Sequence, residues 1–253
     1  METLTLGHTV VSSGAWLEAR KALLVREKEF TRMRDALNRE RIELPWEKVE
    51  KNYVFDGPNG KQTLADLFGG KSQLFLYHFM MGPGWVEGCP SCSLIGDGID
   101  GCLPHLAERD VALLVVSRAT LPEIEVFKKR MGWKFKWVSS NGNDFNHDYH
   151  VSFTAEDREN GTVFYNYTSA PFPKEEAPGL SVFYKDESGE IFHTYSTYGR
   201  GLDPLIHPYT YLDLAPKGRD EDELGYSMQW VRHHDRYVGA AKEASCCAGG
   251  ERA

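Results

Sequence analysis

Met81-Gly-Pro-Gly-Trp-Val-Glu-Gly-Cys-Pro-Ser-Cys-Ser-Leu-Ile-Gly96 carries a Cys-x-x-Cys pair, Cys89 and Cys92. The run before it, Leu74 to Met80, is apolar or aromatic except for His78, as expected of a central strand covered on both faces. The segment after it, roughly Pro90 to Ala107, reads as a helix. Strand, loop, paired cysteines and helix in that order is the context in which Cys-x-x-Cys points to dithiol chemistry rather than to a zinc knuckle.

Working outward, Asp110 to Ser117 reads as a second buried parallel strand. Leu121 to Met131 follows as an amphipathic helix with Ile124, Phe127 and Met131 inward. Trp133, Phe135 and Trp137 then alternate with Lys134 and Lys136, the period of a half-buried strand. This β-α-β-α-β alternation predicts an α/β fold with right-handed crossovers and a largely parallel central sheet. Upstream, Asp56-Gly-Pro-Asn-Gly60 marks a tight turn between two short strands, and Thr63 to Gly70 a short helix or turn stopped by glycines. Downstream, Leu180 to Asp186 and Glu190 to Tyr195, joined by Glu187-Ser-Gly, predict a β-hairpin that closes the sheet. Residues 139–178 read as an irregular insertion.

Before all of this, residues 13–41 predict one long helix. Trp16, Ala19, Leu23, Phe30, Met33 and Leu37 form its apolar stripe, and Leu44-Pro45 ends it. Three segments result: an N-terminal helical arm over 1–45, a body over 46–237 and a flexible tail over 238–253. So long a stripe could pair two copies of the chain as a homodimer. With 41% hydrophobic and 26% charged residues, the 253-residue chain can bury a sizeable core. Its net charge of −8 (29 basic against 37 acidic side chains) opposes nucleic-acid binding, which needs a basic surface. No signal peptide is read at the N-terminus, and no apolar run is long enough to cross a membrane, so a cytoplasmic setting is expected. There thiols are mostly kept reduced, and five cysteines in this length are no disulfide scaffold.

Thiol exchange proceeds through the thiolate, and a helix N-terminus favours negative charge. Cys89 directly precedes the expected first helical turn, where Pro90 fits because its missing N–H is not needed. Cys89 is therefore the expected nucleophile and Cys92 the resolving thiol, with no bound cofactor required. The partner would be a redox protein or a small thiol. The alternative is a metal-binding or metal-delivery protein for copper or zinc, using Cys89, Cys92 and a histidine such as His78. Structural zinc wants four ligands, and no second Cys-x-x-Cys or His-x-x-x-His completes such a site. Cys102 is expected to pack sideways into the core. The tail thiols Cys246 and Cys247 could reach the main site or be incidental. Among the other histidines, His147 and His150 flank a carboxylate in a loop, His105 reads as structural, and His233-His234 as exposed surface.

The order of elements resembles the thioredoxin fold in its peroxiredoxin-like elaboration. That implies a three-layer α/β/α body with a mixed central sheet and an N-terminal β-hairpin, here behind a long N-terminal helix. More narrowly, roughly residues 10–237 resemble a bacterial domain-of-unknown-function family described as predicted dithiol–disulfide oxidoreductases. The residues that carry this are Tyr77-His-Phe-Met80, Cys89-Pro-Ser-Cys-Ser93, Lys129-Arg-Met-Gly-Trp-Lys-Phe-Lys-Trp-Val-Ser-Ser140, Asp144-Phe-Asn146 and Tyr195-Ser-Thr-Tyr-Gly-Arg-Gly-Leu-Asp203. Two departures stand out. The superfamily's cis-proline position falls at Leu180-Ser181, with Pro178 two residues early, leaving room beside the sulfurs for a metal. The peroxiredoxin Pro-x-x-x-Thr-x-x-Cys signature is absent, since Gly82 and Val86 hold its Pro and Thr positions.

Overall fold

The computed structural model describes residues 4–5 and 7–238. Two compact units are present, Met1–Pro45 and Trp46–Ala253. The first holds a two-stranded antiparallel pair, β1 (Leu4–Thr5) and β2 (His8–Thr9), and the helix α1 (Ser13–Ile42). Ser12 starts α1 by accepting the Ala15 N–H on its hydroxyl, as an N-cap serine does. Glu18–Lys21 and Arg20–Glu27 ion pairs line its polar faces.

The second unit is built on an eight-stranded mixed sheet. In chain order its elements begin with β3 (Glu47–Lys48), β4 (Val54–Gly57), β5 (Gly60–Thr63), the one-turn α2 (Leu64–Leu67) and β6 (Gln73–His78). Then come α3 (Pro90–Glu108), β7 (Val111–Ser117), α4 (Leu121–Met131) and β8 (Trp137–Ser139). The short helices α5 (Phe145–Asp148) and α6 (Ala155–Glu159) and a small hairpin of β9 (Val163–Tyr165) and β10 (Thr168–Ala170) follow. The hairpin of β11 (Gly179–Lys185) and β12 (Ile191–Tyr198), a 3₁₀ stretch over Gly199–Leu205 and α7 (His207–Leu212) complete the unit's main elements.

The strand order is β3-β12-β11-β6-β7-β8-β4-β5. β6, β7 and β8 run parallel, while β11 and β4 pair antiparallel on either side of them. Because β6, β7 and β8 step across the sheet in one direction, crossovers of one hand put both connecting helices on one face. The core agrees. Cys92, Ile95 and Ile99 of α3 and Ile124, Phe127 and Met131 of α4 pack together against Tyr77, Phe79, Val115 and Trp137. Strand alternation sends Leu74, Leu76, Leu114 and Val116 to the other face, which α2 and Phe145 of α5 cover. This is the expected thioredoxin-like three-layer fold with the peroxiredoxin-type N-terminal hairpin. Gly60 closes that hairpin at a positive φ of 105°, and Thr63 starts α2 with a capping box to Asp66.

Two expectations need correcting. Trp133 and Phe135 are buried, but only Trp137–Ser139 pairs as a strand. The Lys134 and Phe135 N–H groups donate instead to the Asp100 carboxylate on α3, at 2.8 and 2.7 Å, so they are not free for a ladder. The stretch read as irregular contains two helices, a hairpin and its own small core of Phe153, Val163 and Ala177 with Tyr165 and Phe172. Its aromatics, spaced without a period, find each other only once the chain folds back.

Candidate active site around Cys89 and Cys92

Beyond β6 the chain leaves the sheet through two backbone ties, Phe79 N to Val116 O at 2.9 Å and Ala119 N to Met81 O at 2.8 Å. The loop that follows is held from several sides. Gly84 N donates to the Glu123 carboxylate at 2.9 Å, and Trp85 Nε1 to Glu175 at 2.8 Å. Glu87 accepts from Arg130 at 2.7 Å and also pairs with Arg236. Gly88 lies against two rings: a Cβ there would sit 2.4 Å from Phe79 Cε1 and 2.8 Å from Phe127 Cε1. The Gly88 carbonyl accepts from His233 Nε2 at 2.9 Å, while Nδ1 of the same ring accepts from Arg130 at 3.2 Å. Cys89 N then donates to Met80 O at 3.0 Å, and α3 starts.

Cys89 is the N-cap of α3 with Pro90 in the first turn, and its side chain is half-buried. Its carbonyl accepts from both the amide and the hydroxyl of Ser93, each at 3.0 Å. Its thiol is pulled down to about 6, first by a hydrogen bond from the Cys92 thiol. Burial opposes this, and the Cys92 and Ser91 backbone N–H groups reinforce it. Cys92, one turn on, is 2% exposed, and burial pushes its thiol well above the ordinary range; the neighbouring Cys89 adds to the rise. Two thiols with opposite shifts thus meet at one helix end, the outer poised to ionise and the inner to stay protonated.

The dithiol opens into a cavity of about 770 Å³. Tyr77 underlies it, 1% exposed, and its hydroxyl has no hydrogen-bond partner of full geometry. Burial raises the phenol well above its ordinary range, with Cys92 the next cause. The far wall comes from the segment after β12. There Arg219 is locked to Asp213 at 2.6 and 2.8 Å and to Asp203 at 3.1 Å, and it stacks 3.8 Å above the Tyr209 ring. Glu221 accepts from Tyr209 Oη at 2.8 Å, Met228 N at 2.9 Å and Trp230 Nε1 at 2.6 Å. The acidic run at Asp220–Glu223 therefore contains an organising side chain that composition does not distinguish from a solvated face.

His78 is not beside the cysteines. Consecutive strand residues point to opposite faces, and Tyr77 takes the cysteine side. His78 stacks on Phe145 and Tyr149 on the other face, and its Nε2 meets Ser181 Oγ at 2.9 Å. Burial lowers it to about 3. The set Cys89, Cys92, His78 does not form, and among the described residues no three His, Cys, Asp or Glu side chains make a metal-sized group. Pro178, directly before β11, lines the dithiol cavity, whereas Leu180 and Ser181 pair lower down with Tyr77 and Leu76. Of this stretch Pro178 lines the cavity and Leu180 and Ser181 do not, with β11 beginning one residue after the proline.

His233 is buried rather than exposed, at 2%, while His234 is exposed and bound to Asp97. No local pattern marks the difference; the loop before Cys89 supplies the burial. Cys102 is half-buried, its thiol donating to Gly98 O within α3, and does not join the core. His105 is exposed. His147 contacts Arg118 and Ser152 O, and His150 lies over Phe164. Cys246 and Cys247 lie outside the described residues, as does the tail beyond Val238. Tyr77 was missed, although the alternation along β6 puts it on the face of Phe75 and Phe79, next to the motif.

Residues 5–237 match the family model described as bacterial protein of unknown function (DUF899), and the chain belongs to that family. No curated protein matched the chain in sequence. Among solved structures, a cysteine mutant of PrxQ from Xylella fastidiosa is 14% identical with a TM-score of 0.41, over 66% of this chain and 94% of that one. The mitochondrial 2-Cys peroxiredoxin from Plasmodium falciparum is 17% identical with a TM-score of 0.40, over 67% and 95%. A putative protein disulfide isomerase from Bacteroides thetaiotaomicron is 17% identical with a TM-score of 0.37, over 66% and 91%. The fold assignment rests on the strand order, and no activity is carried over from these proteins.

Proposed function

For this member of the DUF899 family, we propose thiol–disulfide exchange through Cys89 and Cys92. The observation that carries it is the opposed environment of the two thiols: Cys89 lowered to about 6 at the N-terminus of α3, Cys92 buried and raised. In the reducing direction the Cys89 thiolate attacks a disulfide sulfur, forms a mixed disulfide and expels one thiolate. Cys92 then loses its proton and attacks Cys89 Sγ, which releases the second thiol and closes the Cys89–Cys92 disulfide. Two electrons leave the dithiol, and no bound cofactor takes part. Tyr77 is positioned to donate to the Cys92 thiolate as it forms. In a cytoplasmic setting, a redox protein or a small thiol would return the electrons.

Mild oxidation of the reduced protein with diamide, followed by peptide mapping, tests this. The expected product is a Cys89–Cys92 link, with Cys92→Ser accumulating a mixed disulfide on Cys89. A disulfide joining any other pair, or a mixed disulfide that forms on Cys92 in the Cys89→Ser variant at the same rate, overturns it.

A further inference from the structure

We infer that the cavity over the dithiol binds a low-molecular-weight organic disulfide, and that this class, rather than a protein disulfide, is the substrate of Cys89. The inference rests on the dithiol reading above and narrows it. Two independent observations carry it. The first is size: about 770 Å³ lies inside the range of small-molecule sites, roughly 300–1,000 Å³. A protein disulfide needs instead an open groove along which a chain can lie.

The second is how the wall is made. The segment beyond β12 is braced at several points: Arg219 by two aspartates and the Tyr209 ring, Tyr209 and Trp230 by the Glu221 carboxylate. Arg219 is held raised by those carboxylates, so its charge is compensated and the group serves as wall. A segment fixed by this many charged hydrogen bonds is not one that swings aside for a macromolecule. The cavity lining is apolar at Ile95, Pro178, Leu202 and Ile206 and carries both charge signs at Lys217, Asp220 and Asp222. An organic disulfide with zwitterionic ends matches that lining.

Tyr77 lines the same cavity with its hydroxyl beside the Cys92 thiol, so it serves the exchange step and not the ligand. As one R–S–S–R molecule is reduced, two R–SH leave. One proton comes from Cys92, and the other is the proton that Cys89 gave to solvent on ionising. The two electrons come from the Cys89 and Cys92 sulfurs, which are oxidised to the Cys89–Cys92 disulfide as the substrate S–S bond breaks.

The test uses the full chain, reduced, with hydroxyethyl disulfide, cystine and insulin as oxidants and the Cys89–Cys92 disulfide as readout. Ser227 lines the cavity and is exposed, so Ser227→Trp narrows it without touching the dithiol. The expected result is a saturating rate with the small disulfides, a KM that Ser227→Trp raises about tenfold, the equivalent of about 1.4 kcal/mol, and slower oxidation by insulin. Alkylation of Cys89 by iodoacetamide should change less than about twofold in that variant. A rate linear in small disulfide, or oxidation by insulin that is faster and unchanged by Ser227→Trp, overturns this inference and leaves the dithiol reading standing. If diamide itself yields no Cys89–Cys92 disulfide, the dithiol reading falls, and this inference with it.

Discussion

Removing the Cys92 thiol should make Cys89 a weaker acid. The first cause of the low Cys89 value, about 6, is the hydrogen bond from Cys92. A hydrogen bond to a charged group contributes about 1.5–3 kcal/mol, and about 1.4 kcal/mol moves a titration midpoint by one pH unit. Cys92→Ala therefore moves the Cys89 midpoint up to between roughly 7 and 8. The backbone N–H groups of Ser91 and residue 92 survive the substitution and hold it below that of a free thiol. At pH 7 the wild-type thiol is then roughly nine-tenths ionised, and the variant between about half and a tenth. The assay is the pH–rate profile of iodoacetamide alkylation, resolved by peptide mass so that Cys102 and the tail cysteines are counted separately. A wild-type midpoint near that of free cysteine, or one that Cys92→Ala leaves in place, refutes the reasoning.

Asp100→Ala deprives Lys134 N and Phe135 N of their acceptor and should cost about 1–3 kcal/mol in denaturant unfolding; an unchanged midpoint would show that water replaces the carboxylate at no cost. His233→Ala leaves the Gly88 carbonyl without its donor and a void against Phe127, for a loss of about 2–4 kcal/mol; His234→Ala, at the exposed neighbour, should stay within about 0.5 kcal/mol. His78 takes a proton near 6.5 when unfolded but only near 3 when folded. Its contribution is therefore complete above pH 6.5 and falls by about 1.4 kcal/mol per pH unit on the way down to pH 3. His78→Leu should flatten the acid limb of the stability profile by that slope, at a neutral-pH cost of about 1 kcal/mol for the Ser181 bond; an acid limb as steep as the wild type's would show that other groups set it.

The fold was legible wherever a local period is enforced by burial. The run ending at His78 and the strand Val111–Ser117 each sit between two paired strands, and the helix Leu121–Met131 buries one face at Ile124, Phe127 and Met131, so their apolar patterns state their conformation. Trp133 to Lys136 misled because a period of two reports which side chains are buried, not where the backbone N–H groups go. Those go to Asp100, which is remote in sequence.

The candidate site divides along the same line. By itself the sequence determined the spacing of Cys89 and Cys92, the proline between them and the helix they open, because these follow from adjacent residues. Only the tertiary structure decided the rest. It separated His78 from the sulfurs by one strand alternation, set Tyr77 under them and brought Pro178 opposite. It buried His233 against Gly88 across 145 residues of chain. It also turned the segment around Arg219 and Glu221 into the cavity wall. The physical reason is that the acidity of a thiol and the shape of the space above it depend on solvent exclusion and on donors contributed by distant segments.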